Sequence, residues 1–243
     1  MRGKLRTETL TSVIDPARAF EDEVHVEITN DSLQIHGTDT SLVGWVDVSL
    51  ATDAFEAFRG SLDGVALNLK RISRLIRHLD ADATPSVTID PDAQRVSVSS
   101  AGLSYTDSLV LPESVPEVWD DQPSDWSVEV VVQGDALNPA VELADDITSH
   151  MTFGFHHDAQ VSYVSAAGDT DSLQLEFGTG QVMSPPTEEV IVEYPLDKLV
   201  NIQSAIPDDS MVSLAFGNDS TLRIHYEFAD GAGETVFRLL PVV

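Results

Sequence analysis

The sequence has no cysteine, few lysines and no long hydrophobic run, and each absence removes a class of protein. Without cysteine there is no disulfide framework, thiolate zinc site, iron–sulfur cluster or cysteine nucleophile. No apolar run approaches the roughly 20 residues that cross a membrane, and the first ten residues lack the apolar stretch of a signal peptide. We therefore expect a soluble, cytoplasmic protein with no membrane partner.

Basic residues are scarce as a group. The 243 residues include 13 Lys and Arg against 41 Asp and Glu, for a net charge of −28. Self-repulsion of this size opposes a compact fold, and ~1 M salt screens most of it because the Debye length falls to ~3 Å. The composition indicates a halophilic protein; an ordinary acidic protein is the alternative. It also argues against nucleic-acid binding, so a local cluster of bases carries more information here than in a basic protein.

Motifs of catalysis are also missing. The sequence has no phosphate-binding loop, dinucleotide-binding fingerprint or zinc-protease motif, and no constellation of nucleophile and base. The His156-His157 pair lacks further ligands that we can place. We expect a protein that is not an enzyme, with no catalytic residue, no cofactor and no metal.

Short alternating runs dominate what is present. Helical periodicity is clear over 68–79, 135–147 and 195–206, with a weaker helix near the start that should end or kink at Pro16. Many strands and few helices predict an α+β fold. The predicted strands are 24–28, 32–37, 43–50, 86–90, 95–100, 103–111, 126–132, 172–177, 190–194, 211–216 and 222–228.

The chain repeats itself weakly. Apolar positions of the helix at 68–79 recur 127 residues later in the helix at 195–206. We interpret this as two similar β-rich halves, 1–111 and 127–243. The connector between them, 112–126, is rich in proline and acid and is expected to be extended and exposed.

Four stretches in this order resemble the PCNA-type DNA sliding clamp, in a divergent archaeal and halophilic form. They are SLQIHGTDTSLVGWVDVSL (32–50), LNPAVELADDITSHMTFGF (137–155), AAGDTDSLQLEF (166–177), and YPLDKLVNIQSAIPDD (194–209) followed by residues 212–241. The resemblance covers essentially the full chain and implies the DNA-clamp fold, in which inner helices and outer strands of three chains close head-to-tail into a ring.

The resemblance implies a processivity factor. As a homotrimer it would encircle double-stranded DNA without reading sequence. It would tether a DNA polymerase, clamp loader, nuclease or ligase through short clamp-binding peptides. Two alternatives stay open: a subunit that assembles only with other clamp subunits, and a halophilic β-rich binding or structural protein without a DNA role.

One helix concentrates the bases. Four of them fall within eight residues and are not interrupted by an acid before Asp80, while apolar residues take the other helical side. We predict contact with DNA phosphates; a solvated face paired with nearby acids is the alternative. Similar clamps carry DNA-facing bases at Arg74 and Arg77, whereas helix 135–147 carries acids and no base. The expected DNA-facing residues are Lys70, Arg71, Arg74 and Arg77, with Arg6, Arg18 and Lys198 as weaker additions.

The resemblance also implies a pocket for partner peptides. Its residues would be Thr38, Leu42, Val43, Trp45, Thr221, Leu240 and Pro241, with the connector's Trp119 and Trp126 beside them. The alternatives are that Trp45 lies in a strand buried on both faces and that the connector tryptophans only anchor a linker.

The subunit contact implied by the resemblance pairs the last strand of the first half with a strand of the next subunit's second half. Its residues would be Tyr105, Leu109 and Leu111 on one strand and Leu173, Leu175 and Phe177 on the other. The alternative is that both strands pair within the monomer.

Overall fold

A computed structural model describes residues 1–116, 124–178, 180–183 and 185–242. These residues form an α+β fold, as the sequence predicts, with 17 strands and four α-helices. The helices are α1 (Thr7–Ala17), α2 (Leu69–Ile76), α3 (Asn138–Asp145) and α4 (Leu196–Gln203). The strands are β1 (Arg2–Lys4), β2 (Glu23–Ile28), β3 (Ser32–Thr38), β4 (Gly44–Ala51), β5 (Ala57–Arg59), β6 (Leu62–Asn68), β7 (Ser86–Asp90), β8 (Arg95–Ser100), β9 (Leu103–Ser108), β10 (Val128–Gln133), β11 (His150–His156), β12 (Val161–Ala167), β13 (Ser172–Phe177), β14 (Val190–Pro195), β15 (Met211–Phe216), β16 (Leu222–Phe228) and β17 (Gly233–Leu239).

The chain divides into two compact units. The first comprises Met1–Val118 with Glu227–Thr235, and the second comprises Trp119–Tyr226 with Val236–Val243. The boundaries expected from the sequence, 1–111, 112–126 and 127–243, stay a prediction. At the start of the expected connector, Val115 is only 3 % exposed and its carbonyl lies 3.1 Å from His25 Nε2. This part of the connector is therefore packed onto the first unit.

The first unit contains two antiparallel arrays of strands with α1 packed on α2. One array has the order β5-β1-β7-β8-β9, and the other contains β4-β3-β2-β6. Apolar side chains from both arrays and both helices line one core, among them Leu10, Ile72, Val26 and Ile89. The alternation of buried and exposed residues along β2 and β3 supplies this apolar face, as half-buried strands require.

The second unit repeats this plan. Its arrays are β13-β12-β11-β14 and β10-β15-β16, and α3 packs on α4. Phe153 meets Tyr194 and Phe216 edge-on, with ring centroids 5.4 and 5.6 Å away, so three strands from both arrays share one aromatic cluster. Helices α2 and α4 begin 127 residues apart and end 127 residues apart, which confirms the offset found in the sequence.

The helices are shorter than their periodicity predicts. The predicted ranges 68–79, 135–147 and 195–206 each shrink to eight residues. Asn68 accounts for one boundary, since its side chain accepts a hydrogen bond from the Lys70 amide at 3.2 Å and caps α2. Pro139 accounts for another, because proline is favoured in the first turn of a helix. Pro16 lies in the last turn of α1, which ends one residue later.

Several strands have no clear sequence signal. Strands β1 and β5 have only three residues each, which is too few to show an alternation of apolar and polar residues. Strand β6 contains Gly64 at φ 49°, and its pairing with β2 shifts register between Val26 and Ile28. A bulge of this kind breaks the period-2 pattern on which strand prediction depends.

Candidate DNA interface and partner sites

Helix α2 presents its bases to solvent. Leu69, Ile72 and Ile76 are each 3 % exposed or less, and Ser73 is also buried. The four bases lie on the opposite side and are exposed, as the sequence predicts: Lys70, Arg71, Arg74 and Arg77.

Three of these bases pair with nearby acids, as the alternative considered from the sequence has it. Lys70 Nζ lies 2.7 Å from the Asp22 carboxylate, and Arg71 and Arg77 each place a guanidinium nitrogen 3.7 Å from a carboxylate. Those two carboxylates belong to Asp107 and Asp15. The acids come from α1, β9 and the turn after α1, so inspection of the helix's own sequence could not find them.

Arg74 is different. Among the residues that the structure describes, it has no ion pair and no hydrogen-bond acceptor for its side chain. It lies between the turns that carry Lys70 and Arg77, and its guanidinium is exposed. Arg74 is therefore the base on α2 whose charge is least compensated.

Asp22 holds two of the predicted bases at once. Arg18 Nε donates to its carboxylate at 3.0 Å, and Lys70 donates to the other oxygen. Burial tends to raise the pKa of Asp22, but the hydrogen bonds from Lys70 and Arg18 prevail and lower it. Asp22 is thus ionised and ties α2 to the end of α1.

Arg71 joins the helix to strand β9. A hydrogen bond to Tyr105 and the charge of Asp107 raise the pKa of Arg71 above its ordinary value. Burial and a hydrogen bond to Asp107, whose oxygen lies 2.6 Å from the phenol, raise the pKa of Tyr105. These three side chains form one polar cluster.

The weaker candidates differ among themselves. Arg6 is exposed just before α1, where its backbone is extended. Lys198 lies 3.6 Å from Asp197, and its side chain is only 19 % exposed. On α3 the exposed charged residues are acids, Glu142 and Asp145, which agrees with the sequence.

The predicted pocket residues of the first unit lie at the β3–β4 turn. Thr38 pairs with Trp45 across the two strands, and both are buried at 3 % and 6 % exposure. The Thr38 hydroxyl has no hydrogen-bond partner among the described residues. Leu42 is 39 % exposed and has φ 59°, a conformation that L-residues rarely adopt, while Val43 is half-buried.

Asp39 holds this turn in place. Its carboxylate accepts hydrogen bonds from the Ser41 hydroxyl and from the Val43 amide, the latter at 3.2 Å, and its carbonyl accepts from the Leu42 amide at 2.9 Å. The turn therefore presents an aliphatic side chain on a fixed backbone. The burial of Trp45 shows that β4 is apolar on both faces here, the alternative considered for the sequence.

Of the predicted pocket residues in the second unit, Thr221 contacts Trp126. The indole nitrogen donates to the Thr221 carbonyl at 2.7 Å, and the Arg223 guanidinium lies 4.4 Å above the ring. Arg223 also pairs with Glu129 at 3.2 Å. Thr221 is buried, and Leu240 and Pro241 are half-buried. Trp126 is thus fastened to its unit, whereas Trp119 lies outside the described residues.

Both strands of the predicted subunit contact are edges. Strand β9 pairs with β8 and is the last strand of its array, and β13 pairs with β12 and ends the other array. Leu173 and Leu175 are half-buried and Phe177 is buried. The expected face of the first strand needs correction: β9 ends at Ser108, so Leu109 and Leu111 lie beyond it and do not continue the face of Tyr105.

Other chemistry is sparse in the described part of the chain. No group of three or more His, Cys, Asp or Glu side chains there could hold a metal ion. His156 stacks on Tyr163 and lies 3.5 Å from Glu189. No described helix is long and apolar enough to span a membrane.

Curated relatives and solved structures were compared with the chain. A sliding clamp of DNA polymerase from Natronomonas pharaonis is 30 % identical over 234 residues, which covers 96 % of this chain and 95 % of the relative. The DNA polymerase sliding clamp of Haloarcula marismortui is 29 % identical over the same share of each chain. No family model matches. The relatives come from halophilic archaea, in agreement with the charge of this chain.

Solved structures show the same fold. The PCNA of A. fulgidus, determined with the C-terminal region of FEN-1 bound, matches with a TM-score of 0.87 at 16 % identity, covering 100 % of this chain and 98 % of that one. The PCNA of Thermococcus kodakaraensis matches with a TM-score of 0.85 at 20 % identity, covering 99 % of each. With the identity to the Natronomonas protein over almost the whole length, the chain belongs to the DNA polymerase sliding clamp family.

Proposed function

We propose that three copies of this sliding clamp close head-to-tail into a ring around duplex DNA through strands β9 and β13. The observation that supports this most directly is that, among the strands that the structure describes, each of the two lies at the edge of its array. An unpaired edge is a liability that soluble proteins cover or pair. Pairing each β9 with the β13 of a neighbour would remove both edges at once. The ring acts by topology, so the protein needs no catalytic residue.

The salt of the cytoplasm takes part in this assembly. Each subunit carries −28, so a ring of three carries three times that charge. At ~1 M salt the repulsion is screened beyond a few ångströms. Burial of Leu173 and Leu175 in the subunit contact then favours assembly, because long-range charge repulsion no longer opposes it.

The DNA-facing surface is α2, with Arg74 as its principal contact. Arg71 and Arg77 are loosely paired, at 3.7 Å, with side chains 67 % and 66 % exposed. Exposed ion pairs contribute about 0–1 kcal/mol, so either arginine can exchange its carboxylate for a phosphate at little cost. Lys70 is held more firmly because Asp22 also binds Arg18. Phosphate contact of this kind carries no sequence preference, as sliding requires.

Partner proteins dock through short peptides with apolar anchors, and Leu42 is the residue that we assign to them in the first unit. An exposed leucine at φ 59° carries backbone strain of roughly 1–3 kcal/mol, which is typical of functional turns. In the second unit we assign Leu240 and Pro241. The partners are a DNA polymerase, clamp loader, nuclease or ligase. Support comes from the A. fulgidus PCNA, which was solved with the C-terminal region of FEN-1 bound.

The ring is tested by the mass of the pure protein in molar salt. A trimeric mass supports the homotrimer. A subunit that assembles only with other clamp subunits is the second candidate, since a PCNA2–PCNA3 complex from Sulfolobus tokodaii shares the fold with a TM-score of 0.82. A pure protein that stays monomeric would favour that candidate.

A further inference from the structure

The outer face of the β5-β1-β7-β8-β9 array gathers bases that no acid neutralises. Arg2 and Lys4 alternate with buried Gly3 on β1, and Arg59 faces Arg2 across the β1–β5 pair. All three bases are exposed. None has an ion pair among the described residues, although the chain has 41 acids.

This arrangement costs stability. Like charges directly opposite one another on neighbouring strands repel. The chain has acids in threefold excess, yet none takes the position opposite Arg2. Of the six described bases without an ion pair, all but Arg74 lie on this array or beside it: Arg2, Lys4, Arg6, Arg59 and Arg95.

A groove next to these bases is lined with hydroxyl groups. It has a volume of about 410 Å³. Its polar lining comprises Arg2, Lys4, Thr84, Ser86, Ser99 and Ser104, together with Ser100. Arg2 Nε lies 3.4 Å from the Ser86 hydroxyl. Glu56 is the one carboxylate hydrogen-bonded to the described lining, and it accepts from Thr84 at 3.0 Å.

The cross-strand partners of Arg2 are also polar, so the polar surface continues across the β5-β1-β7-β8-β9 array. Arg2 faces Thr88 on its other side, and Thr88 faces Ser97, which pairs with Thr106. The row from Arg59 to Thr106 therefore presents two guanidinium groups and three hydroxyls in line, across five strands about 4.8 Å apart.

We propose that this face binds the sugar–phosphate backbone of duplex DNA outside the ring, as a site separate from α2. Arginine, lysine and hydroxyl side chains are the groups that contact DNA phosphates. Arginine matches a phosphate with two parallel hydrogen bonds, which add energy and fix the geometry of the contact. The face carries no aromatic side chain at these register positions, so it lacks the stacking platform that single-strand binders use.

The test uses DNA that a ring cannot thread. A fluorescently labelled duplex closed by a hairpin loop at both ends is titrated with the full chain, and anisotropy gives the affinity at several potassium chloride concentrations. The test variant is Arg2→Gln with Arg59→Gln. The comparison variant is Arg95→Gln on the same array, where the lost base faces an acid, Asp90. Circular dichroism confirms that each variant stays folded over the salt range used.

The double variant should bind the closed duplex more weakly, and its slope of log affinity against log salt should fall in magnitude by about 1.8, at about 0.9 for each lost phosphate contact. Arg95→Gln should weaken binding less than the double variant does, because Asp90 already faces the charge that is lost. Glu56→Gln should bind more tightly, because it removes the carboxylate that is hydrogen-bonded to Thr84 of the groove and keeps an acceptor for that hydroxyl. An unchanged affinity and slope in the double variant overturns the proposal, and so does tighter binding of a single strand than of the duplex.

A further variant separates this surface from α2. Arg74→Gln should leave binding of the closed duplex unchanged while lowering clamp-dependent stimulation of a polymerase. If Arg74→Gln instead abolishes binding of the closed duplex and the double variant does not, the outer site is refuted and the role of α2 stands.

Discussion

The Lys70 ammonium group lies 2.7 Å from the carboxylate of Asp22, a residue 48 positions earlier in the chain that also binds Arg18. Four residues further along the same helix, Arg74 has no such partner among the described residues. Two bases on one exposed face therefore differ in what they must give up to contact a phosphate.

We predict that Arg74→Glu lowers clamp-dependent stimulation of a cognate polymerase more than Lys70→Glu does. If each of three subunits loses a phosphate contact worth about 0.5 kcal/mol, the ring loses about 1.5 kcal/mol of DNA binding. Stimulation by Arg74→Glu should then fall roughly tenfold. The assay is primer extension at one fixed salt concentration, on templates of different sequence, and the loss should be equal on all of them. A loss confined to particular templates, or a larger effect of Lys70→Glu, would contradict this ranking.

The sequence predicted much of this helix, but not its environment. The period of the apolar residues located α2 and its buried face, since local spacing determines both. The partners Asp15, Asp22 and Asp107 come from other elements, and long-range proximity leaves no local signal. The cross-strand pair of Arg2 and Arg59 was missed for the same reason, because both lie in strands of three residues.

The partner sites show a similar limit. Family resemblance located the β3–β4 turn, but alternation alone left two interpretations of Trp45, a pocket anchor or a residue of a strand buried on both faces. Trp45 is only 6 % exposed because other parts of the chain pack on the second face of β4. The sequence of β4 alone does not show that this packing occurs. The strain at Leu42 was equally hidden, since leucine gives no hint of a positive φ.

Asp22 should couple stability to pH. Its pKa is lowered in the folded state, so its contribution is present above the ordinary pKa of 3.8 and is lost as pH falls through the lower, folded value. We expect wild type to lose more stability than Asp22→Asn below about pH 4. The difference should stay under about 1 kcal/mol, because the carboxylate is partly exposed. Urea unfolding in molar salt at a series of pH values measures it; parallel curves for the two proteins would refute the coupling.

Leu42→Gly should separate partner binding from stability. Glycine adopts φ 59° without strain, so the free energy of unfolding should not fall by more than about 1 kcal/mol. Affinity for a peptide with spaced aliphatic and aromatic anchors should fall by about tenfold or more, as for loss of an interface anchor. Calorimetric titration measures the affinity, with Leu143→Ala, exposed on α3, as the control. Equal affinity of wild type and Leu42→Gly would remove Leu42 from the site.

Trp45→Ala should act on the fold instead. Removing a buried tryptophan typically costs about 3–5 kcal/mol through lost burial and the cavity left behind. We expect a lower melting temperature even without any peptide, measured by circular dichroism in molar salt. A variant with wild-type stability and reduced peptide affinity would show that Trp45 acts mainly as a binding anchor.

The two edges of one array provide a matched test of the subunit contact. Leu175→Glu on β13 should abolish the trimer, because it places a charge in the proposed contact. Ile191→Glu on β14, at the opposite edge of the same array and 60 % exposed in the wild type, should leave the trimer intact. Sedimentation equilibrium in ~2 M potassium chloride distinguishes them. Trimers from both variants, or monomers from both, would rule out β13 as the specific contact.

Light scattering of the pure protein across a salt series measures whether three copies form a ring that salt holds together. In ~2 M potassium chloride we expect a mass three times that of the 26.3 kDa chain, falling towards that of one chain as salt is removed. A mass that stays at 26.3 kDa in molar salt, or one that rises on desalting, would rule out a homotrimer that salt stabilises.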